Sequence, residues 1–121
     1  MKTEYVLGLD YNEEESKSKI QKVLKQIKPL SKYSDEEDVP LVALEKLIRV
    51  VCNKYLVRIR NIQQDIWSNK NYNIWKCDVM VDGKMFDSVG TVYGTSIYEL
   101  FAKIAILMYS EIKKERLKVR E

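Results

Sequence analysis

Residues 73–114 read NIWKCDVMVDGKMFDSVGTVYGTSIYELFAKIAILMYSEIKK, and this stretch decides the fold. Ile74 to Val81 alternates, with Trp75, Cys77, Val79 and Val81 on one face and Lys76 and Asp78 on the other. Asp82-Gly83 follows, the dipeptide favoured in two-residue hairpins because a type I′ turn needs positive φ at both positions. Lys84 to Tyr93 then returns as the next strand. A two-residue loop sets Val79 opposite Phe86, Cys77 opposite Ser88 and Trp75 opposite Gly90 on the core face. The same register faces Asp78 with Asp87 on the outside, which is unfavourable unless a bulge separates them or Arg58 or Arg60 neutralises the pair. Gly90 and Gly94 mark a bulge and a sharp entrance to a helix. Ser96 and Glu99 form a capping box that opens that helix. Ile97, Leu100, Phe101, Ile104, Ala105, Ile106, Leu107 and Met108 leave only Glu99, Lys103 and Ser110 as a polar strip. A helix this apolar needs cover on more than one side.

Working back from that unit, Tyr55 to Ile62 alternates as a third strand running towards Trp67, with Tyr55, Val57 and Ile59 inward and Arg58 and Arg60 outward. Ser68-Asn69-Lys70-Asn71 is a turn by composition. Pro40 suits a first helical position, and the spacing predicts a helix to about Asn53. Its core face is Leu41, Leu44, Leu47, Ile48 and Val51, widened by Val42, Val50 and Cys52. Residues 31–38 form an acidic linker containing Asp35-Glu36-Glu37-Asp38. Residues 1–30 read as an arm: a short strand over Glu4–Leu9, then a helix capped by Asn12. Glu13, Glu14 and Glu15 sit in the first turn of that helix and Lys22, Lys25 and Lys28 towards its end, where each sign complements the helix dipole. Ile20, Val23, Leu24 and Ile27 make its apolar stripe, and Pro29 stops it.

The expected architecture is therefore α+β: a three-stranded antiparallel sheet, with a further short N-terminal strand, packed on helices in the order β-α-α-β-β-β-α. Residues 39–115 form the α-β-β-β-α core and 116–121 a basic tail. At 121 residues the chain should fold as a single domain. The apolar fraction of 45% and charged fraction of 32% are those of a folded globular protein and argue against wholesale disorder. A net charge of +3 falls short of a dedicated nucleic-acid binder. No run approaches the roughly 18 apolar residues of a membrane span. The acidic cluster after the short N-terminal apolar run does not fit a secretory signal, so a cytoplasmic chain is expected. Cys52 and Cys77 stand far apart and read as reduced thiols.

Chemistry is constrained by what is missing. With no histidine, the Ser-His and Cys-His dyads and the common zinc sites cannot be built. The four glycines fit turns and bulges rather than a phosphate-binding loop. No catalytic residue, cofactor site or metal site is expected, and an enzyme is the least favoured reading. Trp67, Asn69, Lys70 and Tyr72 combine aromatic and polar groups on one loop, the composition of a protein-binding hot spot. Arg58, Arg60 and Lys76 on the outer sheet face, with Lys113, Lys114 and Arg116 near the end of the chain, are the alternative: contacts to nucleic-acid phosphates.

From Pro40 to Lys114 the order of elements is similar to that of a double-stranded RNA-binding domain, and VMVDGKMFDSVG resembles that family's second hairpin. The family's basic cluster at the start of the last helix is here Ser96-Ile97-Tyr98-Glu99-Leu100, and its histidine-bearing loop is here Ser68–Asn73. The resemblance therefore implies a fold more than a mode of binding. The same hairpin followed by LFAKIAILMY also resembles small phage-encoded α/β/α sandwich proteins. The function expected first is a non-enzymatic protein-binding module, a phage or mobile-element modulator or inhibitor of a host defence protein. Nucleic-acid binding and sequestration of a nucleotide-like ligand by an oligomer are the alternatives, the last helix being a candidate homodimer seam.

Overall fold

A computed structural model describes residues 13–65, 74–82, 84–85 and 90–121. Among these residues three α-helices, α1 (Glu13–Leu24), α2 (Leu41–Lys54) and α3 (Ile97–Lys113), combine with an antiparallel sheet in the order α-α-β-β-β-α. Strand β1 (Val57–Asp65) pairs with β2 (Ile74–Val81), and the other edge of β2 carries two short strands, β3 (Lys84–Met85) and β4 (Thr91–Gly94). The strand expected over Glu4–Leu9 and the Asn12 cap fall outside the described residues.

The turn forms as its residues dictate. Asp82 has φ of 53°, and Val81 pairs with Lys84 and Met80 with Met85, so the loop has two residues. Beyond that the expected register fails. Cys77 pairs with Val92 rather than Ser88, four residues on, and Trp75 pairs with Gly94 rather than Gly90. Of the expected strand Lys84–Tyr93, the described residues show β3 and β4. Two local effects favour this register. It sets Thr91 opposite Asp78, where the hydroxyl donates to the carboxylate at 3.1 Å, in place of a second aspartate. It also brings Gly94 under the first turn of α3, where an added Cβ would lie 2.6 Å from the Leu100 nitrogen. Only glycine allows so close an approach.

Helix α3 is the centre of the molecule. Leu100, Ala102, Ile104, Ala105 and Met108 are buried on successive sides, against β2 and β4 below and against α2 and α1 above. Its start is held by the expected serine: Ser96 Oγ accepts from Glu99 N at 3.0 Å. The Glu99 carboxylate reaches one residue further back than a capping box requires and accepts from Thr95 N at 2.7 Å. Lys103, expected on a solvated strip, is buried and pairs with Glu99 at 3.8 Å.

At its far end the helix closes in a Schellman motif. Arg116 N donates to Glu111 O and Glu115 N to Ile112 O, with Glu115 in the left-handed region at φ 59°. Where such motifs usually make an apolar contact, the buried Glu111 carboxylate instead attracts Arg116 at 3.6 Å and Lys114 at 3.9 Å. Residues 116–121 are consequently not a free tail. Leu117 is buried, Val119 bridges Tyr55, and Leu56 N and Arg120 N donate to Lys118 O and Lys54 O.

In α2, Leu44, Leu47, Ile48 and Val51 are buried as expected, but Val42 and Val50 are exposed. They fall on the side of the helix shared with Lys46, Arg49 and Asn53, off the i, i+3, i+4 stripe. In α1 the buried stripe is Ile20 and Leu24, continued by Ile27 beyond the helix end.

One polar junction ties α1 and the acidic linker to α3. Gln21 Oε1 accepts from Val39 N at 2.9 Å, Gln21 Nε2 donates to the Tyr98 hydroxyl at 2.8 Å, and that hydroxyl donates to Val39 O. Both hydrogen-bonding groups of the Val39 backbone are thereby satisfied in a buried position. Gln21→Leu keeps the bulk but leaves Val39 N without its acceptor, so urea unfolding should show a loss of about 1–3 kcal/mol with an unchanged m-value.

Candidate functional site

Helices α2 and α3 pack against one face of the sheet, with α1 stacked on α3, and strand alternation determines what the other face carries. Val57, Cys77 and Val79 point into the core and are buried. The intervening residues form the outer face: Arg58 opposite Met80, Arg60 opposite Asp78, Asp78 opposite Thr91, and Lys76 between Gln63 and Tyr93. Arg58 and Arg60 are exposed, and Tyr93 keeps 36% of its surface in solvent.

A β-bulge shapes this face. Between Arg60 and Gln63 the ladder gains one residue, and Asn61 adopts φ of 55°, a conformation asparagine tolerates better than most side chains. The turn aims Asn61 Nδ2 at Asp78, to which it donates at 2.8 Å. Asp78 thus receives one donor from β1 and one from β4. Thr91 takes the position opposite Asp78, and Asp87, expected there, lies outside the described residues.

Where the outer face rounds the start of β1, two adjoining depressions open, of about 400 and 470 Å³. Arg58, Arg60 and Arg120 line both; Met80 and Asp82 complete one, Cys52 and Asn53 the other. Arg120 arrives through the folded-back tail and is fixed there, its Nε donating to Cys52 O at 2.8 Å. Among the described residues none of these three guanidiniums forms an ion pair, whereas Lys118 is paired with Asp82 at 3.2 Å.

The residues singled out from sequence are therefore divided. Arg58 and Arg60 come together. Lys76 stays on the outer face but lines neither depression. Lys113 ends α3, and Lys114 and Arg116 are held by Glu111, so the basic residues at the helix end serve its closure. Trp67, Asn69, Lys70 and Tyr72 lie outside the described residues. Arg120 was expected only as part of the basic tail and not beside Arg58 and Arg60. Its signal was the alternation of Leu117, Lys118, Val119 and Arg120, a strand-like pattern in what reads as a charged tail.

A further groove of about 370 Å³ lies over the start of α3, lined by Lys17, Ile20, Asp38, Thr95, Ser96, Tyr98 and Glu99. Its charges are used internally: Lys17 pairs with Asp38 at 2.9 Å and Glu99 with the helix start. Among the described residues no group of three or more cysteine, aspartate or glutamate side chains converges as a metal site would, and no helix is long and apolar enough to cross a membrane. No protein-family model matches the chain, and no curated protein or solved structure matches it.

The two thiols differ sharply. Burial pushes Cys77 up from 9.0 to about 12. Burial also raises Cys52, against the pull of the Arg120 and Arg58 guanidiniums beside it. For Cys77 the folded value lies above the unfolded one, so the folded chain holds a proton that the unfolded chain releases. Stability should be flat below about pH 9 and fall as pH rises from there towards 12. Urea unfolding across that range should show a shallower decline in Cys77→Ala, with the residual slope due to Cys52 and Tyr98, both also raised by burial, and to Lys17, raised by its bond to Asp38.

Proposed function

We propose that this chain is a non-enzymatic binding module that docks on another protein through the open face of its sheet. One observation carries the reading: among the described residues the helices lie to one side of the sheet, leaving Arg58, Arg60, Met80 and Tyr93 together on the other. Arginine, tyrosine and methionine are the residue types that concentrate at protein interfaces. Asp78 at the middle of the face makes the surface mixed in charge, which suits a partner of complementary pattern better than a uniform polyanion. A module of this kind acts by occupying its partner, as a modulator or inhibitor does, with no chemistry of its own. The hot-spot residues expected within 66–73 lie in sequence between β1 and β2.

The convergence of Arg58, Arg60 and Arg120 favours a second reading, contact with nucleic-acid phosphates. Binding in the manner of a double-stranded RNA-binding domain is not part of it, because the start of α3 carries Glu99 and is occupied by its own cap.

Affinity capture from the native host tests the first reading. The doubly substituted Arg60→Glu, Tyr93→Ala chain should fold normally yet lose the captured partner by at least about tenfold, the scale of a hot-spot change. Capture of the same partners in the same yield by both chains would remove the sheet face from consideration. The second reading is decided separately: labelled duplex and single-stranded oligonucleotides should bind at low salt and dissociate steeply as salt rises.

A further inference from the structure

We infer that the paired depressions around Arg58, Arg60 and Arg120 form a binding site for a small phosphate-bearing anion, of the class of a polyphosphate or a nucleoside polyphosphate. The inference does not rest on the docking reading, since it concerns a small ligand in a groove rather than a partner across a face.

Three observations support it. First, three guanidiniums line the same two adjoining depressions, and no described carboxylate pairs with any of them. Asp82 lines one depression but is paired with Lys118, so the arginines repel one another, and an anion of several charges removes that repulsion while accepting planar, two-pronged hydrogen bonds. Second, the site is built and not merely decorated. Arg120 is placed by a backbone bond to Lys54 O and by its Nε bond to Cys52 O, which uses one of five donors and leaves the rest for a ligand. The tail that delivers it is anchored by buried Leu117 and the Tyr55–Val119 bridge. Third, size and lining discriminate. Depressions of about 400 and 470 Å³ fit a nucleotide-sized molecule better than a lone ion, and Met80 and the Cys52 side chain give an organic moiety an apolar wall. A charge of −3 or more matches the three guanidiniums, which a single carboxylate would not.

Cys52 supplies the readout. It lines the groove and is half-buried, whereas Cys77, the chain's other cysteine, is fully buried. Alkylation of the native protein by iodoacetamide, a neutral reagent, therefore reports on the groove. Tripolyphosphate should slow the labelling of Cys52 in a saturable way when compared with sodium chloride at equal ionic strength. ATP should do so at lower concentration if the organic moiety is also held, and at equal concentration if only the phosphates are. Arg58→Ala and Arg60→Ala, both at exposed positions, should each raise the half-saturating concentration about tenfold or more, the loss expected for one charge-assisted contact. Their thermal unfolding should stay near that of the parent chain. Labelling that responds to ionic strength alone overturns the site. So does protection that persists undiminished in the Arg58→Ala, Arg60→Ala double variant, or protection given by an oligonucleotide and by neither small anion.

Discussion

A helix that is apolar on nearly every side cannot be left at a surface, and covering α3 determines the rest of this structure. The sheet closes its lower side, α2 and α1 its upper sides, and the interior formed around Leu100, Ile104 and Met108 is the core of the molecule. Once every described helix has been used for that purpose, none of them remains for the far side of the sheet. The helix-free face with Arg58, Arg60, Met80 and Tyr93 is thus, among the described residues, a consequence of how the core is filled. Function is proposed there for a physical reason: among the described residues no helix packs on that face.

Polar groups make the arrangement specific where apolar burial would not. Burial alone would tolerate α1 at several positions along α3. The triangle of Gln21, Val39 and Tyr98 selects one, because any slip would leave a buried amide or carbonyl unsatisfied. The ends of α3 follow the same logic, through Glu99 at one and Glu111 at the other. The closure at Glu111 reverses the chain, and the reversed segment carries Arg120 to the start of β1. A structural device at a helix end thereby completes the arginine cluster.

Much of this was legible from residues 73–114. The alternation, the Asp82-Gly83 turn and the run from Ile97 to Met108 specify two paired strands and a buried helix, and the outward placement of Arg58 and Arg60 follows from the same period of two. The four-residue shift between β2 and β4 was not legible. Moving a strand by an even number of residues preserves which side chains face inward, so the hydrophobic pattern is satisfied by either register. The choice was made by a hydroxyl reaching Asp78 and by the tight approach at Gly94, both of them contacts in three dimensions. Val42 and Val50 illustrate the complementary failure: apolar type suggested burial where angular position on the helix forbade it. Arg120 was hidden because a short charged segment gives little sign that its chain has turned back.

The claim that α3 is the covered centre is tested most directly by native-state hydrogen exchange, resolved by residue. Amides of Leu100, Ile104, Ala105 and Met108 should exchange only through complete unfolding, at the free energy found for urea denaturation of the whole chain. Exchange of those amides through a low-energy local opening, while the amides of β2 stay protected, would show that the helix is peripheral and contradict the account.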